Sequence, residues 1–277
     1  MIEIPESYTL ARQAAELLSG KTILNVTANA SPHKFAWFLG NPARYQEILS
    51  GKTVSGAKNH GGRVELLAGD AHIVFTDGVN LRIFQQGEKL PNKHQLLIEF
   101  DDFSYLIATV SMYGGLEAFL DGQNQNPYDC VAREKSNPLT SKFDETYFHS
   151  LTKYDTFDKD SAKAFLATGQ KIPGLGNGVL QDILWNAGIH PKRKMGTVTD
   201  KEFVKLYHAV KATLVCMAQQ GGRDTERDLF GGFGGYRTVL SKNSWREPCP
   251  ACGNKIIKEA YLGGSIYFCP ICQPLSV

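Results

Sequence analysis

The chain lacks any apolar run near the roughly 18 residues a membrane-crossing helix needs. Its first residues, MIEIPES, carry two glutamates where a secretion signal carries a basic segment and an apolar stretch. Neither membrane insertion nor export is expected, and the expected compartment is the cytoplasm. Internal repeats and low-complexity tracts are also missing, which excludes solenoids and disordered linkers as the main architecture. Cysteine is scarce, six in 277 residues, so a disulfide-dense scaffold is not expected either. What is present is a 42% hydrophobic composition with 15 Phe and 11 Tyr, enough to bury a core, and a length that favours two domains over one.

The formal net charge is only +2, but it is unevenly spread. Residues 1–187 hold 17 Lys plus Arg against 21 Asp plus Glu, a balance of −4, whereas residues 188–277 hold 13 against 7, a balance of +6. A basic final third suggests a surface facing a polyanion, although solvated Lys and Arg explain moderate excesses equally simply.

Four of the six cysteines form one pattern: Cys249, Cys252, Cys269 and Cys272, two CxxC pairs with sixteen residues between. This is the spacing of a zinc ribbon, in which each CxxC turn aims two sulfurs at one tetrahedral ion and the intervening residues form a hairpin. Four thiolates leave no open position, so the expected Zn2+, one per chain, is structural. Cys130 and Cys216 are expected to be buried free thiols.

A first helix is signalled by Pro5 near its start, by Leu10, Ala14, Leu17 and Leu18 on one face, and by Gly20 as its stop. The runs VELLAG, AHIVFTDG, LRIFQQG, HQLLIEFDD and YLIATVSMYG then predict short antiparallel strands of a sandwich or barrel up to about residue 120. GQNQNPYDC, residues 122–130, reads as linker. Apolar residues three and four apart predict helices around 144–154, 158–168, 178–187 and 199–220. The expected fold class is therefore α+β. Its expected parts are a helix-led β-sandwich over 1–121, a linker over 122–140, a helical domain over 141–240 and a zinc finger over 241–277.

Between two of the predicted helices lies IPGLGNG, residues 172–178. Glycines at 174, 176 and 178 let backbone approach a ligand closely, and the amides opening the next helix would suit a phosphate; an ordinary helix corner would look the same. Taken with Asn177, the AGIHP closing the next helix, the basic run Lys192–Lys194, the QGG at 220–222 and the EPCPACG that opens the zinc ribbon, the chain resembles the formamidopyrimidine-DNA glycosylase and endonuclease VIII family along its whole length. That resemblance implies a helix-two-turns-helix domain, double-stranded DNA with a damaged base or abasic site as partner, a monomer, and excision of a flipped base during base-excision repair. It also implies that Asn177, with Gly176 in the same turn and Lys192 beyond it, grips phosphates around the lesion.

The active-site end departs from that family. Its usual start, Met-Pro-Glu-Leu-Pro-Glu, exposes a proline amine as nucleophile, whereas here Ile2 holds that position while Glu3 and Glu6 are kept. The family's phosphate-holding strand lysine has Lys58, His60 or Arg63 as candidates, and the arginine of its zinc hairpin corresponds to Gly264. Met112 and Tyr113 stand where the residues filling the void of a flipped base are expected, or else pack in the core. Taken alone, His60 reads as a loop histidine. The glycine-rich, charged stretch 221–238 reads as a movable loop over the base or as plain surface.

Glu3 is the expected catalytic carboxylate, able to orient water at the sugar; Glu6 serves catalysis or complements a helix dipole. The expected activity is a glycosylase that releases bases hydrolytically, with weak or no lyase activity from the Met1 or Lys58 amine. The alternative is a catalytically inactive protein that binds damaged or structured DNA on the same scaffold.

Overall fold

The computed structural model describes residues 1–275. Helix α1 (Ile4–Leu18) opens at Pro5 and lays Leu10, Ala14 and Leu18 on a curled sheet, as the sequence pattern predicts. Strands β1 (Ile23–Ala28), β2 (Ala36–Phe38), β3 (Val54–His60), β4 (Arg63–Ala68), β5 (Ala71–Phe84), β6 (Leu96–Phe100) and β7 (Tyr105–Leu120) form one sheet. Its order is β1-β6-β7-β5-β4-β3, with β2 running parallel to β7 at the side, and a short helix α2 (Tyr45–Leu49) follows β2. Two runs expected to be separate strands, AHIVFTDG and LRIFQQG, belong to the single 14-residue β5.

That long strand continues through its glycine because it bends instead of ending. Asp77 lies opposite Gly114 and Val79 opposite Val110, so Gly78 alone faces Ser111, Met112 and Tyr113 of β7. Asp77 and Tyr113 flank the bend with φ of 50° and 46°, a left-handed region that non-glycine residues seldom occupy. A Cβ on Gly78 would sit 1.6 Å from the Met112 carbonyl oxygen, so only glycine fits. The bend folds the sheet's two halves around one core that contains Val64, Phe75, Leu81, Ile98 and Leu106.

The stretch read as linker is structured. Asn126 caps helix α3 (Pro127–Glu134) through the Tyr128 N–H at 3.0 Å, and its amide donates to both oxygens of Glu117 at 2.9 Å. Asp129, fully buried, receives Arg133 at 2.6 Å and His60 at 2.6 Å, which ties α3 to the sheet.

Helices α4 (Glu145–Ser150), α5 (Ala162–Ala167), α6 (Val179–Ala187) and α7 (Asp200–Gln219) form the second domain around Phe143, Phe148, Phe165 and Phe203. The 20-residue α7 begins on a Thr199–Glu202 capping box. The hairpin β8 (Ile257–Tyr261) and β9 (Gly264–Phe268) turns at Leu262 and Gly263, both left-handed, and docks on α6 through Gln181, which accepts the Tyr267 N–H at 3.0 Å. Among the described residues no helix is long and apolar enough to cross a membrane.

Gly78→Ala is expected to lower the folding free energy by about 1–3 kcal/mol, the usual cost of forcing atoms into a packed site. A denaturant titration against the parent protein measures it; an unchanged midpoint would mean the bend tolerates a side chain.

Candidate functional site

The N-terminal thread stitches the two domains together. Ile2 packs into the sandwich core and donates its N–H to the Asp77 carbonyl at 2.6 Å, while Ile4 packs into the helical core and donates to the Gly174 carbonyl at 3.0 Å. Between them, Glu3 points at the start of α6, where its two carboxylate oxygens accept the N–H groups of Gly178 at 2.9 Å and Val179 at 2.8 Å. Four orphan amides open any helix, and an acidic side chain is a fitting partner for them.

Glu3 and Glu6 are both buried, and one cation holds them. Arg223 donates to Glu6 through Nε at 2.9 Å and Nη2 at 2.8 Å, and its Nη1 lies 3.6 Å from Glu3. Burial pushes the Glu3 carboxyl above its ordinary range, with Arg223 opposing. Burial pushes Glu6 the same way, but the two-pronged contact with Arg223 wins and holds its carboxyl below that range. The sequence does not single out Arg223, because it sits in a stretch that reads as a movable loop. Only its place after the QGG points toward it.

The glycines of the turn make room for the protein's own packing. A Cβ on Gly174 would stand 1.9 Å from the Gly62 nitrogen, one on Gly176 2.7 Å from the Glu3 carboxyl carbon, and one on Gly178 1.6 Å from Arg223 Nη1. The helix amides expected to bind an anionic ligand are already taken by Glu3. Asn177 immediately precedes the cap and donates its amide to the Ser265 carbonyl of the finger at 2.9 Å, while its Oδ1 is buried without a partner. Gly264, the position of the family arginine, lies beside it: its Cβ would meet the Asn177 side chain at 3.4 Å. Lys242 shares with Asn177 the walls of a small cavity of about 160 Å³.

Two larger cavities flank the thread and share Met1 and Ile2 as walls. One, of about 410 Å³, lies between the domains and is lined by Glu3, Arg63, Asp77, Trp37, Tyr128 and the 172–176 turn, among others. The other, of about 310 Å³, is lined by Glu6, Arg82, Glu226 and Arg227, among others. The Met1 amine is ion-paired with Glu226. Stretch 221–238 is tied down at its base by Arg223 and by Asp224, which accepts from the Thr238 hydroxyl at 2.8 Å; its exposed tip carries Phe230 and Phe233.

The remaining expected site residues separate. Arg63 is buried, lies 3.2 Å from Asp129 and reaches the larger cavity. His60 is not in a loop but ends β3, held by Asp129, and Lys58 is exposed on β3 and lines neither cavity at the thread. Met112 and Tyr113 are exposed at the bend, with Tyr113 tilted against Phe35 at 4.6 Å, so core packing does not describe them. Lys192 pairs with Glu259 of the finger, and Arg193 pairs with Glu202 at 2.6 Å, so much of the basic run is spent inside the molecule. The Sγ atoms of Cys249, Cys252, Cys269 and Cys272 all lie within 4.8 Å of one another, with 3.4 Å and 3.7 Å between two of the pairs. Sulfurs bound about 2.3 Å from a tetrahedral ion stand about 3.8 Å apart, so the set fits one zinc. Cys130 is exposed and Cys216 half-buried, against the expectation that both are buried.

No protein-family model matches the chain. Solved structures share its fold: the Lactococcus lactis Fpg in complex with abasic-site DNA superposes with a TM-score of 0.82 over 98% of this chain and 99% of that one, at 23% identity. The same Lactococcus lactis protein bound to DNA containing N7-benzyl-Fapy-dG gives the same values. The molecule thus falls in the class that joins a helix-led β-sandwich to a helix-two-turns-helix domain and a cysteine finger. Curated relatives match over the full length: a formamidopyrimidine-DNA glycosylase of Bacillus anthracis is 27% identical over 282 aligned positions, covering 99% of each chain. One of Cytobacillus firmus is 27% identical over 289, covering 99% of this chain and 100% of that one. Along its full length the chain is similar to formamidopyrimidine-DNA glycosylases, with Ile2 at the position that the resemblance gives to proline.

Arg223→Met is expected to destabilise the protein by about 3–5 kcal/mol, because it strands two buried carboxylates. Equilibrium unfolding checks this, and a loss under about 1 kcal/mol would show that the cation is dispensable.

Proposed function

We propose that this protein is a DNA repair glycosylase that releases a damaged base by hydrolysis and leaves the sugar–phosphate strand intact. The observation that carries the reading is the disposition of the N-terminus. Ile2 is buried with its N–H given to Asp77, and the Met1 amine is ion-paired with Glu226. A Schiff base needs a neutral amine placed within attacking distance of the sugar, and small misplacements cost orders of magnitude in rate. Arg63 on the inter-domain cavity, the exposed bend residues Met112 and Tyr113, and the separate small cavity walled by Asn177 and Lys242 support duplex DNA as the partner. The four cysteines support one structural Zn2+ per chain that shapes the finger.

One observation favours the second reading, a non-catalytic binder of damaged DNA. Glu3 is 3% exposed and both its oxygens are occupied by helix amides, which is the environment of a structural cap. Duplexes carrying single lesions, incubated with the protein and treated with alkali or with borohydride, separate the readings. Base release revealed by alkali, without borohydride-trapped protein, is the expected outcome. Abundant trapping would make the protein a lyase, and binding without base release on any lesion would make it a reader.

Protein prepared without chelator is expected to contain one zinc per chain, and Cys269→Ser to lose both the metal and most DNA affinity. Metal-free, fully binding protein would contradict this. DNA affinity is also expected to fall steeply between about 50 and 200 mM salt as counterions are released, by a factor near 10³ for six phosphate contacts. A flat salt dependence measured by fluorescence anisotropy would exclude backbone phosphates as the main contacts.

A further inference from the structure

The hairpin of the finger ends on a side chain that its own turn disfavours. Tyr261 pairs with Gly264, so Leu262 and Gly263 make a two-residue turn, with φ of 46° and 71°. Such a turn needs the left-handed region at both positions, and Asn-Gly is the usual choice for it. Leucine is a poor one, because a bulky side chain without a polar atom gains no local hydrogen bond to offset the strained backbone. Burial does not offset it either, since Leu262 is 54% exposed. Gly263 and Gly264 follow, which leaves Leu262 as the one side chain at the tip. A local rule broken at an exposed position is a common mark of function.

The tip is also held rigidly. On its β8 side the Lys163 ammonium donates to the Tyr261 carbonyl at 2.6 Å. On its β9 side the amides of Asn177 and Gln181 donate to the Ser265 carbonyl at 2.9 Å and 3.2 Å. Lys163 and Gln181 are both buried, so the helical domain commits two enclosed polar side chains to carbonyls on either side of the turn. The surrounding surface is cationic. Lys242, Arg246, Lys255 and Lys258 of the finger are exposed, whereas its acids Glu247 and Glu259 face Arg237 and Lys192. A polyanion matches that charge, and a rigid apolar point beside it needs an apolar place to go. We propose that Leu262 is a wedge: as the finger seats on duplex DNA, its side chain enters between two neighbouring base pairs and unstacks that step. Leucine is among the apolar side chains that do this in proteins that kink DNA, where the cost of unstacking is offset by the protein surface a bent duplex can reach. The inference rests on the reading of duplex DNA as the partner. Leu262 acts on the base stack and not on the bond that breaks, which makes it a positioning residue: a loosened stack lowers the cost of extruding a base.

The test compares wild type with Leu262→Asn, Leu262→Gly and Leu262→Met on duplexes carrying a fluorescent purine that brightens when unstacked. The probe is moved step by step along the sequence, with and without an abasic-site analogue, and anisotropy and thermal melting are measured alongside. Asparagine and glycine suit the left-handed turn better than leucine does, so both variants should melt no lower than wild type. The expected result is a fluorescence rise at one step with wild type that is lost in Leu262→Asn and Leu262→Gly. Affinity should fall roughly tenfold or more in both, as for the lost burial of one large apolar side chain. A purely structural role for Leu262 would not let stability hold while the grip on DNA weakens. Leu262→Met, still apolar and more flexible, should keep most of the signal and the affinity. Unchanged fluorescence and affinity in folded Leu262→Asn and Leu262→Gly would overturn the wedge while leaving DNA as the partner. Failure of wild type to bind any duplex at low salt would overturn both.

Discussion

One buried arginine decides how the two halves of this molecule meet. Arg223 leaves a loop of the helical domain and enters a site walled by α1 and by the start of α6, where it neutralises Glu6 directly and stands beside Glu3. Without it, two carboxylates would be buried side by side, an arrangement that favours protonation or opening. With it, Glu3 can remain beside the amides of Gly178 and Val179 and fix the first turn of α6 against the N-terminal thread. The glycines at 176 and 178 follow from this clamp, because a β-carbon at either would collide with Glu3 or Arg223, and Gly174 lies so close to Gly62 that a β-carbon there would strike its backbone.

The second organising feature is the bend in the sheet. Strand β5 and strand β7 are long enough to belong to both halves of the sandwich, and both turn at the same level, around Gly78. The bend brings Asp77 to the inter-domain cavity, gives its carbonyl to Ile2, and pushes Met112 and Tyr113 outward on the opposite strand. A single irregularity in the ladder therefore places an acid on the cavity from one strand and exposes a pair of side chains on the other.

Much of this architecture is legible in the sequence because it is written in local patterns. The leading helix, the four helical segments of the second domain and the cysteine hairpin all follow from spacing and caps within a dozen or so residues. The clamp is not legible, since its members are Glu3, Glu6 and Arg223, and nothing near residue 223 says which carboxylate it will meet. For the same reason the sequence does not say what the glycine-rich turn makes room for. Glycines that make room for a ligand and glycines that make room for the chain itself look alike until the neighbouring segment is placed. Helix α3 escapes a reading by pattern because its turn-forming start, Asn126 and Pro127, is also how a linker looks, and its stability comes from the distant partners Glu117, His60 and Arg63.

The clamp also has a consequence for biosynthesis. Glu6 and Arg223 are 217 residues apart, so a ribosome adding about 5–20 residues per second presents the acids some 10–40 s before their cation. Over that interval the sandwich can collapse around Ile2, but the first six residues have no helical domain to dock on, and Glu3 and Glu6 must stay hydrated. The N-terminus is thus the first part of the chain to be made and among the last to settle, and anything appended ahead of Met1 would compete for that final step.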